Sequence, residues 1–342
     1  MPPDPKAAPI PMDLLIVEPL EEEVVHWLSK RHRVLLAPEL MRDPRGFRMA
    51  LRDVRALMLP TTLALDAHAL RNAPALRAVG CVSAGADNID LDACSRAGVE
   101  VVRSVTATAQ AEAEFMIGAL VTLLRRVPVI GSHGMLVGRE LGSARVGLIG
   151  MAPAARSIAQ MLAAFGSSVV GYDPSLHATD AIWERWGVKP LGLRELLEES
   201  DAVCVQLSYF NRYRGLLGDR LLPYCKPNQV IVSISYSALF DEAALARELH
   251  TGRITAAWFD SVEPGALDEG RPLADIETLQ VSPRIASTTR ESRLRSAWAV
   301  ARRLDELLKR LAGERPGGRE SSGFSSTPPD AGRDLAIDPS SR

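Results

Sequence analysis

Several signals are missing from this sequence, and each absence closes off a class of protein. Neither sign of charge prevails: 40 Lys and Arg stand against 42 Asp and Glu, a formal net charge of −2. A broad nucleic-acid surface needs an excess of cations to neutralise phosphates, so no nucleic-acid partner is expected. Long apolar runs are also missing. Stretches such as Phe115–Leu124 cover only about half of a bilayer's hydrocarbon core, so no membrane helix is expected. The proline-rich opening, Met1–Pro11, lacks the apolar stretch of a secretory leader. Metal-ligand spacing is absent too. Cys81, Cys94, Cys204 and Cys225 form no CxxC pair, and His26, His32, His68, His133, His177 and His250 are scattered. Such cysteines read as small buried hydrophobes in a reducing compartment, and the expectation is a cytoplasmic chain without a metal site.

What is present is ordinary globular material. Hydrophobic residues make up 46% and charged residues 24% of the 342-residue chain, a length suited to two domains at roughly 150 residues each. Residues 1–11 are rich in Pro and residues 313–342 in Gly, Ser, Pro and Arg; both are too poor in apolar surface to offset the entropy of ordering and are expected to be disordered tails. Between them, β-like runs alternate with helical patterns. Leu14–Val17, Val34–Leu36, Ala56–Leu59, Ala78–Val82 and Val99–Val102 read as strands, with helices at Glu21–Ser29, Asp66–Asn72 and Leu91–Ala97 between them. A long apolar helix follows at Glu112–Arg126. A second series places strands at Ala144–Gly150, Ser168–Tyr172, Ala202–Leu207, Gln229–Ile234, Ala256–Phe259 and Leu279–Val281, and helices at Ala154–Phe165 and Arg290–Leu311. The β-α-β rhythm predicts an α/β fold with parallel sheets.

The most informative stretch runs from Val146-Gly-Leu-Ile-Gly150 through a helix start to Val169-Val-Gly-Tyr-Asp173. Strand, tight turn, helix, strand and terminal acid is the layout of a dinucleotide site. The turn brings backbone N–H groups to a pyrophosphate, and the acid accepts from ribose hydroxyls. Asp173 lies 23 residues beyond Gly150, near the usual spacing of about 20.

Around this block the chain resembles the D-isomer-specific 2-hydroxyacid dehydrogenase family, which includes phosphoglycerate and formate dehydrogenases and the C-terminal-binding-protein corepressors. Ser83-Ala-Gly-Ala-Asp-Asn-Ile-Asp90 is similar to the family's substrate loop, and Ala111-Glu-Ala-Glu114 to the start of its interdomain helix. Leu196-Leu-Glu-Glu-Ser-Asp201, Lys226-Pro227, Asp241-Glu-Ala-Ala-Leu245 and Gly252-Arg-Ile254 match further segments. The resemblance implies a Rossmann-type NAD-binding domain, residues 113–287, inserted in a flavodoxin-like substrate domain made of residues 12–112 and 288–312. It also implies a cleft at the hinge, with Ser83, Ala84 and Gly85 in the substrate loop, and a homodimer formed through the nucleotide domain and the helix near Glu112–Arg126.

The departures from the family fall on its chemistry. The family grips a 2-oxo acid with an Arg and protonates it with a His that a Glu supports. Tyr236 stands at the Arg position, in Ser235-Tyr-Ser-Ala-Leu-Phe-Asp-Glu242, and a phenol cannot reproduce a planar two-toothed grip on a carboxylate. Arg284 stands at the His position, in Val281-Ser-Pro-Arg284, and a guanidinium gives up no proton near neutral pH. Glu263, before Pro264, is either the family Glu or a surface carboxylate before a turn, because Asp260-Ser-Val-Glu-Pro264 is shorter than the usual spacing. In the glycine turn, Gly150 is followed by Met151, Ala152, Pro153, Ala154 and Ala155. Ala152 adds a methyl and Pro153 removes a donor, a weakening of about 1–3 kcal/mol if one charge-assisted hydrogen bond is lost. Asp173 at the ribose position favours NAD over NADP, and Asp260 matches the acid that the family places near the nicotinamide carboxamide.

Three readings follow. In the first, the fold persists without ordinary 2-oxo-acid reduction and serves as a binding or regulatory protein, with a small carboxylate ligand or a protein partner. In the second, an NAD(H)-dependent oxidoreductase acts on a carboxylate-bearing small molecule with rewired residues, Arg284 holding the substrate and Tyr236 donating the proton. In the third, His133 or His250 supplies the missing imidazole through a shifted loop.

Overall fold

The computed structural model describes residues 12–82 and 88–313. Ser83, Ala84 and Gly85 of the expected substrate loop lie outside the described residues, as do residues 1–11 and 314–342.

The first series of elements is β1 (Met12–Ile16), α1 (Glu22–Ser29), β2 (Val34–Leu36), α2 (Pro44–Ala50), β3 (Val54–Met58), α3 (Ala67–Arg71), β4 (Ala78–Cys81), α4 (Leu91–Arg96) and β5 (Glu100–Arg103). Its strands pair in parallel in the order β2-β1-β3-β4-β5. The helix starts are set locally. Asp66 accepts from the Ala69 N–H and Asp90 from the Ala93 N–H, satisfying donors that the first turn leaves without a partner.

α5 (Val105–Arg126) leads out of β5 into a short antiparallel hairpin, β6 (Val129–Ile130) and β7 (Leu136–Val137). Then come β8 (Arg145–Ile149), α6 (Pro153–Phe165), β9 (Ser168–Tyr172), α7 (Ala181–Trp186), β10 (Lys189–Pro190), α8 (Leu193–Glu199), β11 (Ala202–Val205), β12 (Gln229–Ser233), α9 (Glu242–His250), β13 (Ile254–Phe259) and β14 (Leu279–Val281). These strands form a seven-stranded sheet in the order β10-β9-β8-β11-β12-β13-β14, all pairs parallel. The chain leaves β8 toward β9 and later returns to the other side of β8 with β11. That reversal opens a crevice beyond the strand ends, the place where doubly wound sheets bind ligands.

The last helix, α10 (Arg290–Gly313), crosses back to the first sheet. Ala297, Val300, Ala301, Leu304 and Leu308 pack with Leu14, Ile16, Met58 and Ala78 of that sheet. Gly80 permits this approach: a Cβ there would lie 2.4 Å from Val300 and 2.9 Å from Leu304. α5 buries Ala113, Met116, Leu120 and Leu123 against Ile158 and Leu162 of α6 and the strands beneath. It therefore belongs to the core of the second sheet while issuing from the edge of the first.

The structure corrects several boundaries. α5 begins at Val105, not near Glu112: the helix extends through Val105-Thr-Ala-Thr, where β-branched residues argue for a loop, and there Arg295 of α10 bonds the Ala107 carbonyl. α10 runs to Gly313, one residue into the segment expected as tail. The hairpin β6–β7 and the edge strand β10, which ends in Pro190, were not expected. Two-residue strands carry no periodicity, and proline is tolerated at a sheet edge. All four cysteines are free and buried, and burial pushes the thiols of Cys81, Cys204 and Cys225 up to about 12. Among the described residues no helix is long and apolar enough to cross a membrane, and no cluster of His, Cys, Asp or Glu is set to hold a metal.

Candidate functional site

A cleft of about 1020 Å³ opens at the ends of the strands, with walls drawn from both sheets. Arg103 enters it from the end of β5 and Glu112 from α5. Ala152, Gln206, Tyr209, Arg214, Tyr236, Asp260 and Arg284 line the side built on the seven-stranded sheet.

The cofactor end lies at the switch between β8 and β11. Gly150 has φ +95°, and a Cβ there would lie 2.6 Å from the Leu207 backbone N. Only glycine tolerates both the angle and the approach. Pro153 opens α6 as its first residue, where the missing N–H is least harmful. The Ala155 N–H turns back to the Ala152 carbonyl at 2.8 Å, and the Met151 N–H goes to the Asp173 carboxylate at 2.7 Å. No hydrogen bond within the described chain uses the Ala154 N–H, in the first turn of α6, where helix N-termini leave donors for an anion.

Asp173 ends β9 and accepts from Met151 N–H and from the N–H and hydroxyl of Ser175. A carboxylate offers about four acceptor positions, so capacity for a ribose hydroxyl remains. Gln206, buried after β11, donates to the Gly150 carbonyl at 3.1 Å, while its Oε1 has no partner among the described residues. A buried acceptor with no donor awaits one from a ligand. The Gly150 cradle, the Asp173 carboxylate and the orphaned Gln206 oxygen together fit a dinucleotide. Pro153 removes one N–H donor and Ala152 adds one methyl at the edge of this turn.

The other end holds the substituted residues. The Tyr236 hydroxyl donates to Glu263 Oε1 at 3.1 Å, and Arg214 grips the same carboxylate with two nitrogens at 2.9 and 3.3 Å. Arg214 above all, with help from the Tyr236 hydroxyl and against partial burial, holds Glu263 below the ordinary carboxylate range. The Tyr209 ring meets Tyr236 edge to face at 5.0 Å. The Glu263 N–H donates to the Ser237 hydroxyl at 2.8 Å, which ties the two loops together. The short spacing before Pro264 therefore does not carry the carboxylate away: Glu263 stands against Tyr236.

Asp260 is buried, and it serves the loop after β14. Its carboxylate accepts from the Ser282 hydroxyl at 2.8 Å and from the N–H groups of Ile285 at 2.8 Å and Ala286 at 3.0 Å. Its carbonyl accepts from the Arg284 N–H at 2.6 Å. Asp260 lines the cleft, and its carboxylate also holds the loop after β14 through two N–H groups and one hydroxyl. What it holds is Arg284, in the left-handed region at φ 56°. A non-glycine residue persists there only when its surroundings fix it.

No histidine among the described residues lines this cleft. His32 pairs with Asp305 at 2.8 Å, His250 bonds the Ala246 carbonyl at 2.8 Å at the end of α9, and His133 lies in the β6–β7 turn. A relocated imidazole from His133 or His250 is therefore overturned. Arg103, Glu112, Gln206, Tyr209 and Arg214 were not singled out from the sequence. Only Glu112 carried a signal, a carboxylate one helical turn after Thr108 on an otherwise apolar face.

Comparison with known proteins agrees with this geometry. Residues 124–286 match the family model described as D-isomer specific 2-hydroxyacid dehydrogenase, NAD binding domain. An (S)-sulfolactate dehydrogenase from Chromohalobacter salexigens is 30% identical over 295 residues, covering 84% of this chain and 95% of that protein. A glyoxylate reductase from Aeropyrum pernix is 30% identical over 268 residues, covering 74% of this chain and 79% of its own length. The holo form of D-mandelate dehydrogenase from Rhodotorula graminis shares the fold, with a TM-score of 0.74 at 20% identity over 87% of this chain and 94% of that one. The nucleotide-binding unit is thus of the NAD-binding type, and the chain belongs to the D-isomer specific 2-hydroxyacid dehydrogenase family.

Proposed function

We propose that the chain binds NAD(H) and a small organic anion in this cleft, and that it does not reduce simple 2-oxo acids by the family's Arg-and-His route. The observation that carries this reading is the pairing of Tyr236 with Glu263. The phenolic proton is already given to a carboxylate that Arg214 keeps ionised. Passing that proton to a ligand means breaking this bond. Arg284, at the position of the family's imidazole, offers a permanent cation for an anionic group and no proton.

NAD(H), when bound, supplies hydride chemistry, and the protein supplies binding and orientation. Gly150, Ala154 and Asp173 hold the pyrophosphate and ribose, and Gln206 offers its oxygen to a donor. Asp260 fixes Arg284 in place. Residues 12–112 with 288–312 act as the substrate-side unit and 113–287 as the nucleotide-side unit. A homodimer through α5 and the hairpin is part of the proposal, supported by the exposure of Ile130, Met135 and Leu136 there. Cytoplasmic residence is proposed with it, supported by four free, buried thiols.

A second reading, an oxidoreductase with rewired residues, is favoured by one observation: Tyr236, Glu263 and Arg214 form a connected acid chain beside the cleft. Titration with NADH followed by fluorescence, then assay on glyoxylate, pyruvate and larger 2-oxo acids, tests both. Saturable NADH binding without turnover is the expected result. Turnover abolished by Tyr236→Phe establishes the second reading instead, and no binding at millimolar NADH removes both.

A further inference from the structure

We propose that the cleft takes up its organic anion together with one proton, and that Glu112 carries that proton. This deepens the anion-binding reading above and rests on it. Three acids stand in or beside the cleft, and their surroundings differ. Glu263 is matched by Arg214. Asp260 engages three donors, which protonation would disturb. Glu112 accepts from the Thr108 hydroxyl and, among the described residues, from no guanidinium or ammonium. It stands on α5, the segment that joins the two sheets, partly buried in the cleft wall.

The charged groups around it come from every side. Asp260 approaches from β13, Arg103 from β5 and Arg284 from the loop after β14, while Tyr236 and the Arg214–Glu263 pair lie further along the same cleft. On α10, Arg295 is turned to the Ala107 carbonyl, one turn and more before Glu112. Burial first, and the charge of Asp260 second, already raise Glu112 above the ordinary carboxylate range, against the Thr108 hydrogen bond. A bound anion adds negative charge and excludes water, and both act in the same direction. Linkage is reciprocal: if the anion favours protonated Glu112, a proton on Glu112 favours the anion. The cleft, lined by no histidine among the described residues, thereby gains a transferable proton.

Calorimetry on the full chain saturated with NAD⁺ tests this, with oxalate as the probe because it stays fully ionised across the range used. Titrations run from pH 6 to 9 in buffers of different ionisation heat. Wild type takes up close to one proton per oxalate above the free-state titration of Glu112, and affinity falls toward about tenfold per pH unit there. Glu112→Gln binds oxalate without that uptake and with a flat profile. Thr108→Val, which removes a hydroxyl that steadies the charged carboxylate, moves the break to higher pH. Oxalate binding with no proton uptake, or with uptake unchanged in both variants, overturns the inference and leaves anion binding standing. Absence of oxalate binding at every pH overturns the reading and the inference together.

Discussion

The hinge side of the cleft and the side built on β13 present acids of the same type in opposite conditions. On the β13 side, carboxylates are surrounded by donors: Asp260 holds a loop and Glu263 holds Arg214 and Tyr236. On the hinge side, Glu112 faces the cleft with a hydroxyl alone, and burial pushes its pKa up while Arg214 pulls that of Glu263 down. The number and charge of the donors decide whether an acid is scaffold, ion-pair partner or proton carrier. Residue type does not.

The contrast breaks most severely at Asp260. Replacing Asp260 by Ala strands the N–H groups of Ile285 and Ala286 and the Ser282 hydroxyl, all turned inward. Since each buried donor left without a partner costs about 1–3 kcal/mol, a loss of about 3 kcal/mol in urea unfolding is expected. Asp260→Asn keeps one acceptor oxygen and should lose visibly less. Equal losses in the two variants mean that the loop after β14 is held by something other than this carboxylate.

Next in size is the cofactor end, where backbone shape rules and acids matter less. Gly150→Ala places a methyl against Leu207 at φ +95°, strain of about 1–3 kcal/mol. Fluorescence titration should show NADH affinity falling at least tenfold. Unchanged affinity means that the turn after β8 does not seat the pyrophosphate. Tyr236→Phe comes third. It removes the hydrogen bond to Glu263, about 1 kcal/mol, and Arg214 still satisfies Glu263. Thermal unfolding should move by only a few degrees, because the ring and its contact with Tyr209 remain; a larger shift means that the hydroxyl anchors more than Glu263.

How far these features were legible in the sequence follows from the range of the forces behind them. β9 at Ser168–Tyr172 and β14 at Leu279–Val281 match the expected limits, because short β-branched runs between turn residues speak locally. Asp173 is legible from its distance to Gly150, set by one helix and one strand. The start of α5 is not legible because Val105-Thr-Ala-Thr has weak helix propensity, while its contact with Arg295 of α10 is tertiary. At the site, Tyr236 and Glu263 were named separately, but their bond is tertiary. Arg214 comes from a third segment, and nothing in its neighbourhood of Asn211, Arg212 and Tyr213 marks it as the partner of Glu263. The second role of Asp260, as anchor of the loop after β14, is hidden for the same reason: the donors that fill it sit 22 to 26 residues away, in a loop whose path the sequence does not display.

The smallest effect is the sharpest test of the comparison, because it turns on sign. Glu263 is shifted below its unfolded value of about 4.3, with Arg214 the first cause. Its charge therefore stabilises the fold above that pH, and the contribution is lost as pH falls through the folded value. Glu112 is shifted upward, with burial the first cause. Its contribution is greatest below the unfolded value and is lost as pH rises through the folded one. Glu263→Gln should flatten the acid limb of the stability profile, an effect that salt erodes because Arg214 is exposed. Glu112→Gln should leave the acid limb alone and raise stability slightly once pH passes the raised folded value of Glu112, by less than about 1 kcal/mol. If both substitutions change the same limb, the two carboxylates share one environment, and the division of the cleft into a satisfied side and a proton-carrying side is lost.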